Sequence, residues 1–235
     1  MPNEAVALKK KARMAGTLYV LMVILGFYGI MYVPSQVLVI GNAPSTFDNL
    51  LQNEFLFRTA IFTHLLNTVV FTMMVLIFYQ MFSGVHRYLS LLMVALVILH
   101  LSFEFGSEAM NYTALLIAKG QFLPSLELLQ RQEWVYLFLR TAKFGSVGLA
   151  IAFWGLWMIP LGLLVYKSRF IPRALGILLI AGGTAYIVDG MYFILFPGSG
   201  GLFKSAMLLV SAIAEISFVC WLLIKGVQFP NKDTT

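Results

Sequence analysis

Residues 55–82 read FLFRTAIFTHLLNTVVFTMMVLIFYQMF. No acid interrupts them, neither glycine nor proline breaks the run, and Arg58 and His64 are its only basic side chains. Roughly 20 apolar residues carry a helix across the hydrocarbon of a bilayer, so this stretch suffices for one crossing. Runs of the same kind occupy 15–40, 88–118, 137–166, 170–196 and 202–224. The fold class they imply is an all-α membrane protein, a bundle of six transmembrane helices forming one domain over residues 1–235. Composition agrees: 60% of the chain is hydrophobic, 11% is charged and the mean hydropathy is +0.87, against about 25% charged residues in soluble domains. Short loops leave no room for a soluble domain, which excludes a cytosolic enzyme, a secreted domain and a nucleic-acid-binding module. The partner implied first is the lipid bilayer.

The formal net charge of +6 follows topology rather than a polyanionic partner. Lys9, Lys10, Lys11, Arg13, Arg87, Lys167, Arg169, Arg173, Lys225 and Lys232 fall on one side of the six spans. Opposite loops hold Lys119 and Arg131 but also Asp48, Glu54, Glu127 and Glu133. Because cytoplasmic loops collect Lys and Arg, both termini are expected in the cytoplasm, with the chain in a bacterial cytoplasmic membrane. The apolar run behind Arg13 exceeds the about 7–15 residues of a signal peptide and reads as a retained first helix. Cys220 is the only cysteine, so no intrachain disulfide or Cys-based metal motif is available.

Breakers set further expectations. Pro34 should kink or end the first helix, after which the loop with Gly41, Asn42, Pro44 and Ser45 turns outside the membrane. Pro124 reads as a first-turn residue opening a helical pattern that runs into the fourth span, either as an interfacial helix or as a projecting span. Ser146 with Ala150, Gly148 with Ala152, and Ala181 with Ala185 place small residues four apart, a spacing that lets the fourth and fifth helices approach closely.

The even-numbered spans open alike: Leu56-Phe57-Arg58-Thr59-Ala60, Phe138-Leu139-Arg140-Thr141-Ala142 and Leu202-Phe203-Lys204-Ser205-Ala206. Three helical hairpins of one sense, repeated about the membrane normal, are the simplest reading. The alternative is that outer helix ends tend to carry a snorkelling cation.

Polar residues inside the spans are costly and therefore candidates for function. They are Arg58, His64 and Asn67 on the second span, His100, Glu104, Glu108 and Asn111 on the third, Arg140 and Lys143 on the fourth, Asp189 on the fifth, and Lys204 and Glu215 on the sixth. From a rise of about 1.5 Å per residue, His64, Glu108 and Asp189 lie roughly 7–9 Å outward of the span midpoints, and Glu104 and Glu215 within about 3 Å of them. Arg58, Arg140 and Lys204 sit higher. The pattern describes an outward-opening vestibule with a cationic rim and an acidic floor. His100, Glu104 and Glu108 share one helical face, and two carboxylates a turn apart need a compensating cation or a retained proton. His64, a rim cation or a bound ion can supply it. Asp189 is expected to face the bundle and meet a cation or amide donor, Arg58 favoured. His64 and His100 differ by about 11 Å in depth, which argues against two axial haem ligands.

Several of these stretches together resemble a known family. Ala12-Arg13-Met14-Ala15-Gly16-Thr17-Leu18-Tyr19, Leu56-Phe57-Arg58, Phe170-Ile171-Pro172-Arg173-Ala174-Leu175-Gly176, Tyr186 with Asp189, and Glu215 followed by Trp221 and Lys225-Gly226 are similar to the bacterial integral-membrane family called domain of unknown function 4386. The resemblance covers nearly the whole chain and implies a six-helix membrane protein, with no activity, cofactor or substrate attached. It matches the third span least, so His100, Glu104 and Glu108 are not carried over from it.

The leading functional reading is a carrier or sensor that binds a small polar molecule or a lipid headgroup in the polar cavity. Its ligand-binding candidates are Arg58, His64, Asn67, His100, Glu104, Glu108, Arg140, Asp189, Lys204 and Glu215. A second class is a metal-dependent intramembrane hydrolase with zinc or iron on His64, Glu108 and Asp189, although no His-x-x-x-His or Cys pairing accompanies them and no cofactor is favoured. A third is a structural membrane subunit whose acids are bonded between helices.

Overall fold

A computed structural model of the chain describes residues 2–196 and 201–228, and among these there is no strand. Among the described residues seven helical runs follow one another. α1 spans Pro2–Gly26, widens into a π-helical turn at Phe27–Tyr32 and finishes at Val33–Val37. α2 is Ala43–Gln52, α3 Glu54–Phe82 and α4 Arg87–Ala118. α5 runs over Leu128–Ser168 with a second π-helical turn at Phe144–Leu149, and α6 (Arg173–Leu195) and α7 (Gly201–Ile224) complete the chain. All except α2 are long and apolar enough to cross a membrane. The protein is an all-α, multi-pass membrane protein.

The described residues fall into two compact units. The first gathers those of Met1–Leu21, Val70–His100 and Ala150–Thr235, and the second is Met22–Val69 with Leu101–Leu149.

In the second unit, the residues that break the first span also shape it. Proline has no N–H to offer the carbonyl four residues back, and its ring crowds that carbonyl. Just before Pro34 the chain adopts the wider π register, in which Val33 N–H donates to Tyr28 O, and the helix ends at Val37 with Leu38 extended. The loop expected after it is instead largely a helix. Asn42 caps α2 by accepting from the Ser45 N–H at 2.9 Å, and Pro44 occupies the first turn, where a missing N–H costs nothing. Residues that stop one helix thus start the next. Ala43, Thr46, Phe47 and Leu50 form the buried face of α2, which packs on the opening turns of α5. Val33, Val37, Phe47, Leu50, Phe57, Ala114, Leu115, Val135 and Leu139 make the core there.

Pro124 does not open α5. Leu123 takes a left-handed φ of 53°, and the helix begins at Leu128 after Glu127, whose N–H donates to Gln130 Oε1 in a capping box. From there the fourth span is one unbroken helical run to Ser168, with no separate helix between Ala118 and Leu128.

In the first unit α5 and α6 do approach closely, but through other residues than Ala181, which is exposed. A Cβ added to Gly155 would collide with Gly183 O, and one added to Gly176 would stand 2.7 Å from Gly162 O. Ala152, one of the small residues expected at this seam, packs on Gly190. Glycine at these crossings removes the side chain that would hold the backbones apart.

Candidate functional site

The second unit holds a buried Glu–His–Glu cluster. α3 carries His64, and α4 carries Glu104 and Glu108 one turn apart on a shared face. His64 Nε2 lies 2.8 Å from Glu104 Oε2 and Nδ1 lies 2.5 Å from Glu108 Oε1. The imidazole is 2% exposed and the carboxylates 2% and 7%. Asn111 Nδ2, one turn further along α4, donates to Glu108 Oε1 at 3.1 Å. Glu108 Oε2 is buried and, among the described residues, has no hydrogen-bond partner.

A cavity of about 30 Å³ adjoins this cluster. His64, Glu108, Asn111, Lys143 and Ser146 give it polar walls, while Pro34, Val37, Leu38, Phe57 and Leu139 give it apolar ones. Both π-helical turns reach it, the first through Gly29 and Ile30 and the second through Ser146. Such turns displace one residue from the helical ladder and occur often at functional sites. Gly29 is needed where α1 meets α3, because a Cβ there would stand 3.3 Å from Ala60 O and 3.3 Å from His64 Cβ. Two buried carboxylates this close need a retained proton or a cation between them, and the cationic residue lining the cavity is Lys143.

The first unit holds a different arrangement. Tyr19 OH donates to Glu215 Oε2 and Tyr186 OH to Oε1, each at 2.7 Å, so both oxygens of that carboxylate are engaged. Between the two phenols runs a chain of rings: Tyr19 on Trp157, Trp157 on Phe71, Phe71 on His100, His100 on Trp154 and Trp154 on Tyr186, with centroids 5.2–6.3 Å apart. Edge-on and tilted pairs of this kind are the favourable geometry for aromatic quadrupoles. Asp189 is buried on α6, and the cation whose charge reaches it is Lys204 of α7.

The chain matches the family described as Domain of unknown function (DUF4386) over residues 14–226. It belongs to that family. A protein of Archaeoglobus fulgidus described only as uncharacterized is 34% identical to it over 95 residues, 40% of this chain and 55% of the relative. The chain therefore spans about half the length of that curated relative. No solved structure matches it.

Within this DUF4386 fold, the ten candidates divide between the units. His64, Glu104 and Glu108 come together, with His64 as the group between the two carboxylates. Arg58 is engaged elsewhere, its Nε and Nη2 both meeting Glu54 Oε1 at 2.8 Å. Glu54 also takes Lys119 Nζ at 2.8 and 3.1 Å. The expected pairing of Arg58 with Asp189 is thus corrected: a carboxylate one turn back on the same helix holds the guanidinium, and Lys204 is the cation acting on Asp189. Arg140 lies 5.4 Å over the Phe144 ring, and Asn67 lies against Gly26. Neither Arg58 nor Arg140 lines the cavity, whose cation is Lys143.

Both ring nitrogens of His64 face carboxylates. Among the described residues no group of three or more His, Cys, Asp or Glu side chains is set to hold a metal ion. Sequence reasoning assigns no role to Tyr19 or Tyr186. Their presence in the family-like stretches around Gly16 and Asp189 is the only signal pointing to them.

Proposed function

We propose that this DUF4386 protein is a carrier or sensor in the cytoplasmic membrane of a bacterial cell, taking a small polar solute or the polar tip of a lipid headgroup into the cavity beside Glu108. The observation that carries this reading is Glu108, a buried carboxylate that lines a cavity and whose Oε2, among the described residues, lacks a donor. An unsatisfied buried polar atom costs about 1–3 kcal/mol, more when charged, and a donor on the solute relieves that cost. Volume limits the occupant. At about 30 Å³ the cavity exceeds the about 10–15 Å³ that one water requires, and it admits an ammonium group with a short alkyl stem leaving along Val37, Leu38 and Phe57.

Ethanolamine is therefore the probe. In lipid-free micelles it is expected to raise the melting temperature of the wild type and not of Glu108→Gln, since a ligand stabilises only the state that binds it. Nanodiscs of phosphatidylethanolamine compared with phosphatidylglycerol separate the headgroup from the free solute. If neither source stabilises the wild type, or if Glu108→Gln responds equally, the reading fails.

The charge bias supports a reading with both termini in the cytoplasm and the cavity opening outward, and the three similar span openings support hairpins of one sense. Tags at either terminus should escape an impermeant label on intact cells and react after lysis. Labelling of either tag from outside would overturn the orientation.

A further inference from the structure

An imidazole with both nitrogens against carboxylates can pass a proton through its ring, accepting at one nitrogen while releasing from the other. That geometry is present here, with Glu108 at Nδ1 and Glu104 at Nε2. Glu108 alone of the two acids borders the cavity, Asn111 steadies its Oε1, and among the described residues its Oε2 has no partner. The cavity has room for a water molecule. We propose that Glu108, His64 and Glu104 form a proton relay loaded from cavity water through Glu108, which makes the proton the coupling ion of the carrier.

The transfer balances. In the loaded state Glu108 holds a proton on Oε1 facing Nδ1, and the neutral imidazole carries its own on Nε2, 2.8 Å from Oε2 of ionised Glu104. The Oε1–H bond breaks as Nδ1–H forms, and Nε2–H breaks as a proton settles on Glu104 Oε2. Each electron pair stays on the atom that loses its proton, and the ring is neutral before and after. One proton has moved from Glu108 to Glu104, and Glu108, now ionised, takes the next proton that cavity water passes on from bulk solvent, the water accepting one as it gives one up. Reversal returns the proton by the same path. Among the described residues that touch His64 or line the cavity, the other charged groups are the two glutamates of α4 and Lys143 of α5, whereas α1 lines it with uncharged Gly29 and Ile30.

The relay rests on the reading that this cavity is the working site, but it is tested apart from any solute. Full-length protein with isotope-labelled histidine is placed in lipid nanodiscs, and the His64 ring signals are assigned by their loss in His64→Gln. The ring N–H protons of wild-type His64 should exchange with water at least about tenfold faster than backbone amides of the same helical turn, which wait for the helix to open. Glu108→Gln fills the same space without taking up a proton and should slow ring exchange toward the amide rate. Ser146→Val leaves all three relay residues in place, narrows the cavity, and should slow it as well. Wild-type exchange as slow as the amides overturns the relay, as does fast exchange in either variant. Failure of ethanolamine to bind would leave these rates untouched, so the two ideas can fail separately.

Discussion

His64→Leu is expected to destabilise the protein by about 3–5 kcal/mol, the cost of removing one partner from a buried ionic cluster. The substitution nearly conserves volume, so little of the loss comes from packing. It leaves Glu104 and Glu108, 2% and 7% exposed, one turn apart with no imidazole between them. Replacing all three residues by leucine should recover most of the loss, because apolar groups of similar size carry no desolvation penalty. Reversible unfolding of each variant in mixed micelles measures the difference. A single variant within about 1 kcal/mol of the wild type would show that the glutamates draw their compensation elsewhere. The triple variant carries a second consequence: it should be stable yet deaf to ethanolamine, separating the cluster's contribution to the fold from its contribution to the site.

The sequence makes the spans legible because hydrocarbon imposes a length and a polarity that few other constraints imitate. It also marks the polar cluster, since acids within such runs demand partners, and the turn spacing of Glu104 and Glu108 requires a compensating group. Depth along the helices brings His64 into range of both.

Depth does not give rotation, however, and that is where the reading of Arg58 fails. Glu54 reads as a loop residue, although its spacing of four from Arg58 on a continuous helix makes it the nearer acid. α2 is obscured for a similar reason, since Asn42 and Pro44 signal a break and a helix start equally well. The two π-helical turns have no periodic signature, because one displaced residue is invisible in a pattern read every three to four positions. The engagement of Glu215 by Tyr19 and Tyr186 joins residues far apart in sequence, and only the folded backbone brings them together.

Gly155→Ala should be the most disruptive single-methyl substitution in the first unit. Its new Cβ would run into Gly183 O and stand 2.9 Å from Ile187 Cγ1 and 3.0 Å from the Ile187 N. A flexible side chain can swing aside, but a carbonyl in the ladder of α6 cannot move without its helix. The two helices must separate, which opens the contacts at Gly162–Gly176 and Ala152–Gly190 along the same seam. Overpacking of this kind costs about 1–3 kcal/mol, and the upper end is expected because the obstacle is backbone. Gly106→Ala on α4 is the matched control, since nothing lies within 4 Å of where its new Cβ would stand. There the same methyl only restricts the unfolded chain and should stabilise by about 0.5–1 kcal/mol. Opposite signs in a common unfolding assay are therefore expected. Equal effects would mean that α5 and α6 do not meet through glycine in the membrane, and that the close seam lies elsewhere.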